Sequence, residues 1–248
     1  MLEIDYTTHL SPAKNFRQRF LVLHYTALNF ADSVVALKGD VSAHYLVPTL
    51  KSIDSTYPLD KIVAYSLVSE EQRAWHAGVS DWKDRSNLND TAIGIEIVNM
   101  ATDTEFVPFA DEQIDVVIKL CKNILARYPD ITPTNVVAHG DIAVGRKMDP
   151  GALFPWKKLY DNGIGAWYDD ETVEKYKTEF AVSIPTPEDV ANKLRNYGYK
   201  YDDADLGALF RIFQMHFRNS KYDGILDIET AAIAYALVEK YVDLKKKK

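Results

Sequence analysis

Two histidines and an aspartate stand where a metal ion could be held. His24 closes the apolar run FLVLH and His139 closes NVVAH. Each imidazole therefore falls at the carboxyl end of an expected strand, the end at which open α/β sheets place their sites. Alternation along the strand puts Phe20, Val22 and His24 on one face, and Val137 with His139 likewise. Asp149 follows in HGDIAVGRKMDP, beyond a loop containing Gly145 that can fold back and set a carboxylate beside an imidazole. Two histidines and one carboxylate leave a fourth tetrahedral position for water, the signature of catalytic rather than structural zinc. Glu96 interrupts the apolar strand IGIEIV, where a carboxylate is costly unless it is paired or has a task, so it is a candidate general base. Lys147, two residues before Asp149, is a candidate cation for an oxyanion. A salt bridge from Glu96 to Lys147 or to an arginine, holding the fold and nothing more, explains these last residues equally well.

These side chains need a sheet to position them. Five short β-branched or aromatic runs read as strands: Phe20–Tyr25, His44–Val47, Ile62–Leu67, Ile93–Val98 and Asn135–His139. Their alternation with helical patterns predicts an α/β fold, a mixed central sheet flanked by helices. Between the last two runs Ile114, Val117, Ile118, Cys121 and Leu125 recur at helical spacing, with Asp111 as N-cap and Pro129–Asp130 as the stop. Cys121 lies on that stripe and reads as core rather than as a catalytic thiol. The polar segment Asp81–Asp90 reads as a surface loop of the kind that borders sites.

The prolines of SIPTP mark a linker, giving a catalytic domain over 1–182 and a small C-terminal three-helix bundle over 183–248. The first of its helices spans about Pro187 to Tyr197 and ends at Gly198. The second carries Leu206, Leu209, Phe210, Phe213 and Phe217, and the third Thr230, Ile233, Ala234, Leu237 and Tyr241, with Asp227 as N-cap. All three read as amphipathic. A unit of roughly 60 residues is marginal alone, so it should lean on the first domain.

Composition narrows the function. With 248 residues, 47% of them hydrophobic and 26% charged, the chain is that of a globular protein with a substantial core. Its 29 Lys+Arg against 36 Asp+Glu give a net charge of −7, which disfavours nucleic acid as a partner. The single Cys121 excludes an internal disulfide and every multi-cysteine metal site. The longest apolar runs, Ala231–Val238 and Phe20–Leu23, fall far short of the ~20 residues of a membrane-spanning helix. Met1–Leu10 carries acids where a signal peptide needs a basic start and an apolar stretch, so the sequence as it stands predicts a cytoplasmic protein. Periplasm or cell envelope would follow from a removed leader or another export route. Lys245–Lys248 reads as a solvated tail, and a monomer is the default.

The motifs VLHYTA at Val22–Ala27, SAHYLV at Ser42–Val47, AWHAG at Ala74–Gly78, LNDTAIGIEIVN at Leu88–Asn99 and VVAHGDIAVGRKMDPG at Val136–Gly151 together resemble the zinc-dependent N-acetylmuramoyl-L-alanine amidases of the AmpD/AmiD type. Phage amidases and animal peptidoglycan-recognition proteins are the wider relatives. The resemblance spans roughly Phe20 to Trp167. It implies one Zn2+ per chain on His24, His139 and Asp149, with Glu96 as catalytic carboxylate and Lys147 as the cation beside the ligand Asp149. His44 and His76, in motifs that line the family's substrate cleft, become candidate substrate-binding residues, with Trp75, Asn99 and Arg73 behind them. The phage and animal branch has a tyrosine before the histidine of the second motif; Ala43 stands there, so Glu96 must carry the base role. LGALFRIFQMHFR, Asp223–Gly224 and DIETAAIAYAL resemble a three-helix peptidoglycan-binding module, which AmiD-type amidases carry and the short AmpD type lacks.

The activity implied is hydrolysis of the amide between N-acetylmuramic acid and L-alanine in peptidoglycan or muropeptides. The rival from another class is a receptor that binds peptidoglycan without cleaving it, against which the full ligand set argues. A third reading is a zinc hydrolase of a non-glycan amide.

Overall fold

The apolar run Phe20–Tyr25 forms β1, buried along its whole length. The computed structural model describes residues 1–202 and 205–244 and places β1 inside a five-stranded sheet. After β1 come α1 (Phe30–Ala36), β2 (Tyr45–Val47), β3 (Tyr65–Ser66), the strands β4 (Asp81–Trp82) and β5 (Arg85–Ser86), and β6 (Ala92–Ile97). Then follow α2 (Asp111–Arg127), β7 (Val136–Ala138) and α3 (His139–Ile142). The sheet order is β3-β2-β6-β1-β7; β2, β6, β1 and β7 run parallel, while β3 is antiparallel at the edge, so the sheet is mixed as its sequence predicts.

Helix α2 lays Ile114, Val117, Ile118, Cys121 and Ile124 into the core, with Leu125 only partly buried. Its N-cap is Ala110 rather than Asp111, which becomes the first helical residue and, with Glu112, places negative charge in the first turn. The strand expected over Ile62–Leu67 shrinks to Tyr65–Ser66. Tyr57 explains part of the loss: its hydroxyl donates to Lys61 O and accepts from Val63 N–H, satisfying backbone that would otherwise pair in a ladder. The segment expected as a surface loop over Asp81–Asp90 instead forms the β4–β5 hairpin and a single 3-10 turn. The apolar Trp82 pulls it inward, 1% exposed, its indole N–H bonded to Thr134 O.

Beyond the sheet lie α4 (Trp156–Asp161), α5 (Asp170–Phe180), α6 (Pro187–Tyr197), α7 (Leu206–Phe217) and α8 (Ile228–Val238). Thr186, Asp205 and Asp227 cap α6, α7 and α8 through side-chain oxygens that accept the backbone N–H three residues on. Helix α8 is not amphipathic: seven of its apolar side chains, from Ala231 to Val238, are buried. It is the inner helix of this region, packed by α5, α6 and α7, and a helix covered on every side must be apolar all round. Buried side chains form a continuous core from the sheet through α8. The lysines at 245–248 lie outside the described residues. Among the described residues no helix is long and apolar enough to cross a membrane.

Candidate metal centre

Three adjacent parallel strands deliver the chemistry. The β1–β6 register pairs His24 with Glu96, so both side chains leave the sheet at one level on neighbouring strands. On the other side of β1, β7 ends at Ala138 and His139 opens α3. The loop after α3 returns, with Gly140 N–H bonded to Asp149 O at 3.0 Å.

His24 Nδ1 and His139 Nδ1 then stand 3.0 Å apart, and Asp149 Oδ2 lies 2.9 Å from the first and 3.1 Å from the second. All three residues are buried, and their ligand atoms could hold a metal ion. Tetrahedral zinc with bonds of ~2.0–2.1 Å sets its ligand atoms about 3.3 Å apart, so the observed triangle fits with a few tenths of an ångström of relaxation. Burial and the neighbouring His139 push the His24 pKa down to about 4, leaving a lone pair available at neutral pH. Burial alone would raise the Asp149 carboxyl, but His139 and His24 outweigh it and hold it well below the usual carboxylate range. Glu96 goes the other way, pushed far up by burial and by Asp149 against the opposing pull of Lys147. Its Oε2 is shut in without a hydrogen-bond partner.

Both imidazoles are oriented from behind by the AWHAG segment. His24 Nε2 faces His76 Nδ1 at 3.0 Å, and His139 Nε2–H donates to Ala77 O at 3.1 Å. With Nδ1 turned inward as the ligand atom, His24 carries its proton on Nε2 and donates to His76. Asn89 Oδ1 fixes the segment by accepting the backbone N–H of both His76 and Ala77. The His76 ring lies flat against Gly94 of β6, where an added Cβ would come within 2.4 Å of it. Behind it His44 accepts Gly94 N–H at Nδ1 and donates from Nε2 to Gln72 O.

The comparisons with known proteins agree with this geometry. The family model of the N-acetylmuramoyl-L-alanine amidases matches residues 14–152. The chain is 44% identical to N-acetylmuramoyl-L-alanine amidase AmiD of Escherichia coli over 238 residues, 91% of this chain and 84% of that protein. It belongs to the N-acetylmuramoyl-L-alanine amidases. Among solved structures, AmpDh3 from Pseudomonas aeruginosa superposes with a TM-score of 0.92 at 54% identity, covering 97% of this chain and 99% of that one. Escherichia coli AmiD, solved with the substrate anhydro-N-acetylmuramic acid-L-Ala-D-gamma-Glu-L-Lys, gives 0.85 at 42% identity over 95% and 94%.

In this amidase the ligand cluster opens into a cleft of about 410 Å³. Glu96, Lys147, Trp75 and His76 line it together with Tyr25, Thr26, Val41, Ser42 and Asp103. The other residues singled out in the sequence lie elsewhere. His44 is 0% exposed, with both ring nitrogens engaged inside the protein, so it backs His76 rather than facing the cleft. His76 does reach the cleft, but its Nδ1 serves His24. Arg73 pairs with Asp90 and lies over the Trp75 ring, outside the cleft. Asn99 lines a separate cavity, its amide tying Val107 O to Ala101 N–H.

Sequence reasoning missed Asn89, the Ala77 carbonyl, and the Tyr25–Asp103 hydrogen bond at the cleft wall. Tyr25 had a signal, its place beside His24 at the end of β1. A backbone carbonyl leaves none, and Asn89 looked like any polar residue of a turn.

Proposed function

We propose that this chain hydrolyses the amide bond between N-acetylmuramic acid and the L-alanine of the stem peptide, with zinc held by His24, His139 and Asp149. The observation that carries the reading is the triangle of three buried ligand atoms beside a carboxylate with an unpartnered oxygen, at the floor of an open cleft. AmpDh3 and AmiD, each solved with an anhydromuramic peptide, support the same class of ligand here.

Zinc, when bound, supplies Lewis acidity: it lowers the pKa of water toward ~7 and polarises a carbonyl. The rest belongs to the chain. Glu96 takes a proton from the attacking water as the new C–O bond forms, and returns it to the nitrogen of L-alanine as the C–N bond breaks. Burial favours the protonated, proton-delivering form of Glu96, while Lys147 favours the ionised, proton-accepting one. The Lys147 ammonium at the cleft wall faces the charge that develops on the carbonyl oxygen. His76 and the Ala77 carbonyl keep both imidazoles turned inward throughout. The products are a muramyl carboxylate and a free stem peptide.

Mass spectrometry of anhydro and intact muropeptides after incubation tests this directly. Release of the stem peptide, stopped by a chelator and restored by zinc, is the expected result, and the ratio of the two substrates ranks them. No release from either, with zinc bound, would replace the enzyme with a peptidoglycan receptor.

A further inference from the structure

A second histidine–aspartate cluster lies directly behind the metal centre, and it joins the C-terminal helices to the strand end that carries His139. Asp141 is 0% exposed, yet its carboxylate has three donors. Ala138 N–H reaches it at 2.8 Å, the Tyr199 hydroxyl at 2.8 Å and His216 Nδ1 at 2.6 Å. Tyr199 follows α6 and His216 lies on α7, so two of the three donors come from the C-terminal helices. The His216 ring is stacked against Trp156 of α4, with ring centroids 3.8 Å apart, which fixes the direction of its N–H. Tyr199 is held equally firmly. Its ring packs on Trp82 at 4.8 Å, and the carbonyl of the preceding Gly198 accepts Lys83 N–H at 2.7 Å.

The consequence falls on His139. Helix α3 has only four residues, too few to hold its own shape by internal hydrogen bonds, and His139 is its first. The Asp141 side chain closes that turn by binding the Ala138 N–H immediately before His139. Its carboxylate can do so in one orientation because Tyr199 and His216 pin it from behind. We infer that Asp141, Tyr199 and His216 are positioning residues for His139, so that the C-terminal helices brace the metal centre in addition to any contact they make with glycan. This rests on reading His24, His139 and Asp149 as metal ligands.

The test uses the full chain and two readouts, the zinc dissociation constant from chelator competition and the separate values of kcat and KM on a muropeptide. His216→Ala, acting on His139 through Asp141, should weaken zinc by up to ~10-fold, the low end of the cost of losing a ligand's direct partner, and lower kcat with little change in KM. His216→Asn, whose amide nitrogen reaches the place of Nδ1, should restore most of both. Tyr199→Phe keeps shape and packing and should give a smaller loss in the same direction; it decides the matter if His216→Ala does not fold. A lowered melting temperature with zinc affinity and kcat unchanged in His216→Ala and Tyr199→Phe would overturn the inference and leave the C-terminal helices as packing. His139→Ala separates the two readings. If it binds zinc as tightly as the parent chain, the ligand assignment itself fails and the brace falls with it.

Discussion

Asp141 of α3 and Asp149 of the loop that follows are both buried and both against histidine, yet their surroundings finish differently. Asp141 has a donor for every direction it faces, from a backbone amide, a phenol and an imidazole. Asp149 has two imidazole nitrogens that also face each other at 3.0 Å, an arrangement that hydrogen bonds alone leave incomplete. Residue type and burial do not tell the clusters apart; satisfaction does. The first is finished by the chain itself, while the second leaves three ligand atoms placed to hold an ion.

Breaking the unfinished cluster should have the largest effect. His24→Ala should lose both zinc, measured by elemental analysis, and turnover; stoichiometric zinc in that variant would remove His24 from the ligand set. Saturating zinc should stabilise the parent chain by about 4 kcal/mol at 1,000 times its dissociation constant, or roughly 10 °C in melting temperature. His24→Ala should lose that shift.

Next comes Glu96→Gln, which keeps the shape of the side chain and removes its proton chemistry. Zinc should stay bound while kcat falls by ~10²–10⁴-fold, and full activity in single-turnover kinetics would end the general-base assignment. His76→Ala sharpens the contrast further by removing the partner behind His24. Zinc affinity should fall by ~10–100-fold with the ligands themselves intact. An unchanged affinity would mean that His76 only fills space over Gly94.

The smallest effect is expected at a carboxylate complete in itself and half open to solvent. Asp227 accepts Thr230 N–H at the start of α8 and pairs with Arg218. Burial works against its charge, but the hydrogen bonds from Thr230 and those from Arg218 and Lys221 hold its pKa well below the usual carboxylate range. Its stabilising contribution is therefore complete above the unfolded value near ~4 and is lost as pH falls from there toward the depressed folded value. Asp227→Ala should cost ~0.5–2 kcal/mol at pH 7, with a gap to the parent chain that narrows in melts taken between pH 5 and pH 2. A gap independent of pH would show that the ionised cap is not the source.

Much of the candidate metal centre was legible because strand ends are legible. FLVLH, IGIEIV and NVVAH give three parallel neighbours, and the return of HGDIAVGRKMDP follows from its length and its glycine. Helices α6 and α8 were equally readable, the first from Pro187 and Gly198 at its ends and the second from the Asp227 cap, since such signals act within a few residues of themselves. What stayed hidden depends on partners far away in the chain. Trp82 draws a polar stretch into the interior through Thr134, and Tyr57 replaces a ladder with its hydroxyl. Helix α8 is apolar all round only because other helices cover it. His44 shares its residue type with the ligands, and nothing local reveals that both its nitrogens point into the protein.

Gly94 carries a consequence for how such a chain can change over time. The missing side chain in the middle of β6 is the space into which the His76 ring fits, and that ring is the support for His24 on the next strand. A single substitution at position 94 would evict the ring, and a single substitution at 76 would leave a hole. The two positions form a lock that opens only when both are turned together, so sequence drift that freely alters the exposed surface must pass around this pair.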